Sequence, residues 1–491
     1  MDILNHLIEG FGVALTLQNL MYCMIGCFLG TLIGVLPGLG PLATISILLP
    51  LTYHMPVTGA IIMLAGIYYG AQYGDSVSAI TMKIPHASSI VACIDGYQMH
   101  LQGRTGLALF TAGISSFIGG TVAAVLVSAF APMLSNVAFL FGPPEYCMLM
   151  ILGFMSVSMV VSGSMISGLG MVMIGVLMGC IGTDINTGTM RFTFGLSFLY
   201  DGIGMVSVAL GCFGLAEIMR NLDKSNTLTP FSGNIKLIPS WADFKRIIPS
   251  ALRGSAVGSF LGIIPGGGTV MAQFGSYAAE KKMSKYKNEI GSGSIEGLAG
   301  PAAADEAAAR TGFIPLLALG LPENAVMSMM LAALMIKGIQ PGPQLIIQQP
   351  DLYWGLIASM WIGNVFLVIL NVPLVKMWLS VFKIPYHILF PCILFFCCLG
   401  TYSINNNVND VLITAAFGML GYFFIMLNLE ATPLMLGFIL GPMLEENLRR
   451  LLIISRGDYT VIAQRPISGT LLAVAVILIL VNFIKAKKTT A

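Results

Sequence analysis

Two stretches of the chain carry residues whose types and spacing suit anion binding. Gly26-Cys-Phe-Leu-Gly30-Thr-Leu-Ile-Gly34-Val-Leu-Pro37-Gly38-Leu-Gly40 aligns without a gap on Gly254-Ser-Ala-Val-Gly258-Ser-Phe-Leu-Gly262-Ile-Ile-Pro265-Gly266-Gly-Gly268. Six positions are identical, and every one is Gly or Pro. Proline disfavours helix in the residue before it, and glycine opens backbone shapes closed to other residues, so each stretch predicts a helix broken at a Pro-Gly-x-Gly tip. Pro41 suits the first position of a new helix, and Thr269 suits an N-cap. Each tip then aims unsatisfied N–H groups and the positive end of a helix dipole at one point, which is an anion site. Pro37, Gly38, Gly40, Pro265, Gly266 and Gly268 are the backbone candidates, and the hydroxyls of Thr44, Ser46 and Thr269 add donors. Turns that merely break a helix are the plainer alternative. Gly26, Gly30 and Gly34, like Gly254, Gly258 and Gly262, recur at i, i+4, i+8, the spacing of close helix packing in lipid.

A second set of candidates is ionisable. Asp75, Lys83, Asp305 and Glu306 sit in or beside apolar stretches, where a charge costs several kcal/mol unless it is paired or hydrated. Lys83 suits a carboxylate substrate, or a structural pair with Asp75. Asp75, Asp305 and Glu306 suit a coupling cation or proton; a solvated loop is the other reading for the last two. His86 suits a proton relay or plain exposure. Glu323 and Asp75 could instead neutralise Lys83 and Arg310, while Asp184, Asp201, Glu217 and Glu430 read as interface or loop residues.

The elements that would position these residues follow from composition. Of 491 residues 56% are hydrophobic and only 9% are Asp, Glu, Lys or Arg, against about 25% charged in soluble domains. The mean hydropathy is +0.86. There is too little charge to cover a water-facing surface, which excludes a cytosolic enzyme, a nucleic-acid binder and a disordered scaffold. The net charge of +2 calls for no polyanion. No charged residue falls between Glu9 and Asp75, Arg104 and Glu145, Glu145 and Asp184, Asp351 and Lys376, or Arg465 and Lys485. Spanning helices need roughly 20 apolar residues, so the gaps predict about a dozen membrane segments. They are helices, because lipid cannot satisfy open backbone groups. Met1–Glu9 lacks the basic start of a removable signal peptide, so the first helix is expected to be retained. The nine cysteines lie mostly in apolar stretches and read as buried thiols, with no metal site.

Arg220–Arg253 and Lys281–Lys287 are basic, and the positive-inside rule puts both in the cytoplasm. Residues 254–279 between them are too few for two full spans, so a re-entrant hairpin is expected there; a single ordinary helix is the alternative. With the aligned glycine stretches, a weaker echo of Ile84-Pro85 in Leu321-Pro322, and Pro144-Glu145 answering Pro350-Asp351, the pattern is a long-period duplication of the kind seen in secondary transporters. About five spans are expected between the hairpins: Val57–Gly74, Gly106–Pro132, Tyr146–Val161, Met165–Ile181 and Phe194–Met219. An odd number inverts the second repeat. The expected organisation is an all-α polytopic membrane protein: a first transmembrane repeat over 1–220, a cytoplasmic basic loop over 221–253, a second repeat over 254–465, and a C-terminal helix with a basic tail over 466–491.

An ordered series of motifs resembles one family along most of the chain. Gly10-Phe11, Asn19-Leu20, Gly30 to Pro41, Leu48-Leu49-Pro50, Tyr69-Gly70, Tyr73-Gly74, Asp95-Gly96-Tyr97, Gly103 and Pro144-Glu145-Tyr146 come first. Pro265 to Gly268, Phe274, Tyr277, Glu280-Lys281, Glu296-Gly297, Leu319 to Pro322, Pro341-Gly342-Pro343, Pro433-Leu434, Gly437, Gly441 and Glu445 follow. The series is similar to the large membrane (permease) subunit of tripartite tricarboxylate transporters. The resemblance implies a multi-pass bacterial inner-membrane transporter driven by an ion gradient, H+ or Na+. It also implies a small four-helix membrane subunit and a periplasmic binding protein that delivers a small tri- or dicarboxylate. Beyond the coupling ion it implies no cofactor.

The sequence departs from that family at loops expected to bind. It reads Lys83-Ile84-Pro85-His86-Ala87-Ser88 where the family usually has Asn-Ile-Pro-Gly-Thr-Pro. It reads Pro301-Ala302-Ala303-Ala304-Asp305-Glu306-Ala307 in place of Pro-Glu-x-Ala-Asn-Asn-Ala. Leu321-Pro322-Glu323-Asn324 replaces Ile-Pro-Gly-Ser, and Gly74-Asp75-Ser76 replaces Gly-Gly-Ser. Ser88 and Asn324 thereby join the substrate candidates. A membrane-embedded aspartyl hydrolase, or a channel, using Asp75 and Asp201 is the rival class. The Gly-x-Gly-Asp context of such a protease is missing at both.

Overall fold

The computed structural model describes residues 2–36, 39–83, 86–138, 140–160, 165–184, 187–221, 239–264, 268–381 and 405–489, with short runs between 391 and 402. Pro37, Gly38, Ile84, Pro85, Pro265, Gly266, Gly267 and most of the expected basic loop, 222–238, lie outside the described residues. Among the described residues strand is confined to one antiparallel pair, Gly182–Thr183 with Met190–Arg191. The rest is helix and connection. Leu17–Gly34, Thr105–Phe130, Pro350–Asn371 and Val408–Met426 are long and apolar enough to cross a membrane, and Ile166–Gly179, Ala325–Ile336 and Pro466–Ile477 are shorter apolar helices. The architecture is that of an all-α membrane protein.

The first half runs α1 (Asp2–Ala14), α2 (Leu17–Gly34), α3 (Pro41–Leu48), α4 (Val57–Met82), α5 (Ala92–Leu101), α6 (Thr105–Ala138), α7 (Pro143–Val160) and α8 (Met165–Gly179). Next come α9 (Met205–Ala209), a π turn over Leu210–Leu215 and α10 (Ala216–Asn221). The second half holds α11 (Trp241–Ile263), α12 (Gly268–Met283), α13 (Ile295–Thr311), α14 (Phe313–Leu319), α15 (Ala325–Ile336), α16 (Leu345–Gln348) and α17 (Pro350–Asn371). Helices at Val375–Val381, Val408–Met426, Ala431–Ile454, Val461–Gln464 and Pro466–Thr489 complete it.

The glycine stripes set the two tightest helix pairs. A Cβ at Gly26, Gly30 or Gly34 of α2 would land on the carbonyl oxygen of Met63, Ile67 or Ala71 of α4. In the second half Gly254 and Gly258 of α11 lie in the same way on Gly300 and Ala304 of α13, and Gly262 on Ala308 and Thr311. Backbone contact of this kind replaces the side-chain interdigitation that lipid would not drive.

Two expectations shift. The stretch Phe194–Met219 was expected as one helix, but apart from a single 3-10 turn at Ser197–Leu199 helix begins only at Met205. Residues 192–202 instead turn repeatedly through left-handed positions, at Phe192, Phe194, Gly195 and Gly202. Residues 241–253, expected as loop, form the first half of α11. Ser240 caps that helix through a reciprocal bond pair with Asp243, and Arg246 and Arg253 are neutralised by Glu296 and Glu280 across the helix pairs. At 23 residues α11 is about 35 Å long, and its charged first half, with Asp243, Lys245, Arg246 and Arg253, precedes the apolar glycine stretch. The helix was hidden in the sequence because its arginines are paired across the helix contacts, with partners far along the chain.

Every residue of α13 is buried, so its polar side chains must find partners inside the protein. One neighbour is a carboxylate clamp. Asp95 of α5 accepts from the backbone N–H of Gly291, Gly293 and Ser294 at 2.8–2.9 Å and from the Tyr277 hydroxyl at 3.1 Å. Gly297 leaves the room, since a Cβ there would overlap the Asp95 carboxylate.

Candidate functional site

The two helix breaks each close on a loop from elsewhere in the same half. At the first, α2 ends at Gly34 and α3 starts at Pro41, with Gly40 extended (φ −74°, ψ 177°) as its N-cap. A Cβ on Gly40 would come within 3.1 Å of the His86 ring. At the second, α12 starts at Gly268, which takes the left-handed φ of +56°. Its nearest neighbours outside its own helix are the Glu323 carbonyl and the Asn324 Cβ. Thr269, expected as the cap, is the second residue of α12 and is buried.

Behind the first break lies a fully buried carboxylate. Asp75 on α4 has its Oδ1 2.6 Å from His86 Nδ1 and accepts a short bond from the Ser88 hydroxyl at Oδ2. Behind the second lies Glu323, 1% exposed. Its Oε1 accepts from Asn324 Nδ2 at 2.9 Å, and Gly312 gives its carboxyl space. Asn324 also caps α15 through the Met327 N–H and reaches the Tyr68 hydroxyl of α4 at 3.3 Å.

Glutamine bridges join the halves. Asp305 of α13 accepts from Gln72 of α4 (3.1 Å) and from Gln273 of α12 (2.9 Å). Gln273 also donates to the Ala87 carbonyl and accepts from the Val91 N–H, which ties α12 to the loop carrying His86 and Ser88. Next to Asp305, Glu306 pairs at 2.6 Å with Arg310 one turn further along α13, both essentially without exposure. Arg310 donates to Asn364 of α17 at 2.9 Å and stacks 4.4 Å from the Tyr69 ring centroid, in space that Gly120 leaves free.

The structure therefore brings Gly40, Asp75 and Ser88 together on one side, Gly268 and Asn324 on the other, and Asp305 between them. Lys83 stands apart. It is exposed, 5.5 Å from the Tyr97 ring centroid, and caps α4 in a left-handed conformation (φ 58°, ψ 36°). The Thr44 and Ser46 hydroxyls are buried and donate to Gly40 and Leu42 carbonyls one turn back in their own helix. Asp201 is exposed in the turn before α9, no hydrogen bond joins it to Asp75 among the described residues, and the pair of the rival reading is not formed.

Sequence reasoning passed over Gln72, Gln273, Tyr68 and Asn364. The available signal was polarity inside helices otherwise apolar or small: Tyr68, Gln72 and Asp75 lie on one face of α4 at i, i+4, i+7.

The sequence profile of the tripartite tricarboxylate transporter TctA family matches residues 20–436. A 52.8 kDa protein of Agrobacterium vitis, named as uncharacterized and placed in the TAR-I ttuC' 3' region, is 50% identical over 493 residues, covering 99% of this chain and 98% of its own length. A second Agrobacterium vitis protein, named for the TAR-II ttuC' 3' region, is 53% identical over 234 residues, 47% of this chain and 97% of its own. No solved structure matches. The family is one of transporter subunits that act in tripartite systems with a binding protein and a small subunit, and this chain belongs to it.

Proposed function

We propose that the chain is the permease of an ion-driven symporter in the bacterial inner membrane. It imports a small tri- or dicarboxylate handed over by a periplasmic binding protein and works beside a small four-helix membrane subunit. The observation that carries this reading is the convergence of two matched helix breaks on one buried polar cluster. Gly40 faces His86, and Gly268 faces Glu323 and Asn324. The alignment that sets Ile84-Pro85 on Leu321-Pro322 also sets His86 on Glu323, Asp75 on Gly312 and Lys83 on Gly320. Lys83 and Gly320 share the same left-handed helix end, at φ 58° and 67°. Asp75 leans on His86 as Gly312 leans on Glu323. These parallels support two repeats, 1–220 and 254–465, probed at matched places by matched loops. An inverted pair of re-entrant hairpins, α2–α3 and α11–α12, is the arrangement that puts both tips at mid-membrane.

In this reading the tip amides of Gly38–Gly40 and Gly266–Gly268, with Thr269, hold the substrate carboxylates; Ser88 and Asn324, engaged with Asp75 and Glu323, line the site behind them, and Lys83 at the rim draws in the anion. Thr44 and Ser46 shape the wall behind the first tip, since their hydroxyl protons are already engaged. The Glu306–Arg310 pair and the Gln72–Asp305–Gln273 bridge couple the two repeats.

The test is uptake of labelled di- and tricarboxylates into proteoliposomes holding this chain with its small subunit and binding protein, under an imposed H+ or Na+ gradient. Gradient-dependent uptake of one of them is expected. Folded protein that moves none of them removes the reading.

A further inference from the structure

Four carboxylates are buried around the two breaks: Asp75, Asp305, Glu306 and Glu323, none more than 4% exposed. Burying a charge in a membrane interior is costly unless something compensates it, so the compensation of each decides what it can do. Asp75 has the His86 ring and the Ser88 hydroxyl, one on each oxygen. Asp305 has an amide donor on each oxygen, from Gln273 and Gln72. Glu306 has the Arg310 guanidinium on Oε2, a full counter-charge, although its Oε1 is unpartnered among the described residues. Glu323 differs. One oxygen accepts a single neutral amide bond from Asn324; the other, Oε2, has no partner among the described residues, and no Lys, Arg or His forms an ion pair with it.

Among the described residues its surroundings hold no counter-charge. From α4 comes the Tyr68 hydroxyl, from α13 the carboxylate of Asp305, from the α13–α14 junction the backbone of Gly312, and from α12 the backbone of Gly268. Tyr68 and Asp305 are the titratable groups that reach it, and neither supplies a positive charge. A sodium ion would need several oxygen ligands, as hard cations do, yet the Asn324 side chain turns its amide N–H toward Glu323 and commits its oxygen to the Met327 N–H. A proton needs only the free oxygen.

We propose that Glu323 is the proton-carrying group of the transport cycle, held as the neutral acid in this conformation and discharged when its carboxyl gains access to the other aqueous side. The inference rests on the transporter reading above and makes the driving ion H+. The proton enters on Oε2 from one aqueous face and leaves from the same atom to the other, while the Asn324 bond to Oε1 keeps the carboxyl oriented. Glu323 stands where the aligned position of the first half has His86, so the matched loop position carries a titratable side chain in each half, of opposite type.

Two measurements test this on the complete three-component system in proteoliposomes. Wild type under an inward proton gradient should accumulate labelled carboxylate and carry protons with it, read by a trapped pH dye. Glu323→Gln copies the neutral acid in size and should retain substrate exchange across the membrane at equal pH, yet lose gradient-driven accumulation down to the level of protein-free vesicles. Proton-coupled accumulation by Glu323→Gln overturns the proposal alone. Wild-type uptake driven by Na+ with no proton movement also overturns it and leaves the transport reading standing. Wild type that moves no carboxylate overturns both. The second measurement uses unaltered protein. Dicyclohexylcarbodiimide adds to a protonated carboxyl in an apolar site, the acid's proton passing to the carbodiimide nitrogen, and the adduct rearranges to a stable N-acylurea. Peptide mass spectrometry should find Glu323 modified, increasingly so as pH falls, with Glu323→Gln as the blank. Absence of that adduct across the pH range in folded protein overturns the proposal even if the Gln variant cannot be folded.

Discussion

Replacing Glu306 by Gln removes the anion from a pair whose members are 2% and 0% exposed and whose closest N–O distance is 2.6 Å. Arg310 cannot shed its proton. It would keep the Asn364 oxygen at 2.9 Å and the Tyr69 face at 4.4 Å, but no counter-charge. Breaking a buried pair from one side costs about 3–5 kcal/mol, and the Gln carbonyl returns about 1 of that through a neutral hydrogen bond. A loss of about 2–4 kcal/mol is therefore expected for Glu306→Gln. Arg310→Met strands the carboxylate instead and should cost about 3–5 kcal/mol. The double variant buries no charge, and a neutral pair of similar volume is close to neutral in stability. Its loss should fall below that of either single, giving a coupling energy of at least about 2 kcal/mol. The assay is reversible unfolding in mixed micelles with a rising fraction of denaturing detergent, followed by the fluorescence of the four tryptophans. Additive single losses, with coupling under about 0.5 kcal/mol, would refute the reasoning and mean that Glu306 and Arg310 do not share a dry site.

The other perturbations act on separate links. Gly38→Val and Gly266→Val should abolish carboxylate uptake while the protein still inserts, as judged by uptake assay and membrane yield; normal uptake by either removes the tip hypothesis. Asp95→Ala leaves three backbone N–H groups and a tyrosine hydroxyl without their acceptor and should lower stability by about 3 kcal/mol or more; unchanged unfolding would show that the clamp is not formed in the membrane. Gly30→Val drives a side chain into the Ile67 backbone and should cost about 3 kcal/mol or more, because backbone cannot yield as a side chain can; the detergent unfolding midpoint reads it. Lys83→Gly relieves a left-handed non-glycine residue and should raise stability by about 1 kcal/mol. A lowered unfolding midpoint would mean that the Lys83 side chain holds the loop.

How much of this was legible in the sequence differs from place to place. The helix break before Pro41 was readable because proline fixes its own φ and lacks a donor, which is local chemistry. The glycine stripes were readable for the same reason: spacing on a helix face is a property of the chain, and both stripes meet backbone in the fold. The start of α11 was misread because Arg246 and Arg253 look like loop charges until Glu296 and Glu280, far along the chain, are seen to neutralise them. The helix expected from Phe194 was misread because hydrophobicity alone does not report the left-handed turns that carry that segment.

At the candidate site the division is sharper. Sequence alone determined a membrane-embedded helical protein, two matched Pro-Gly breaks, and a handful of ionisable residues too costly to be idle in lipid, because hydropathy, backbone restriction and charge burial depend on residue type. It also carried the family, through motifs in a fixed order. Which carboxylate has which partner was decided only by the tertiary structure. Lys83 and Asp75, both on one helix, do not pair; Asp75 takes His86, Asp305 takes two glutamines from different helices, Glu306 takes Arg310, and Glu323 keeps one oxygen empty. A buried charge takes its energy from atoms a few ångströms away, and residues that distant in sequence become neighbours only when the helices pack.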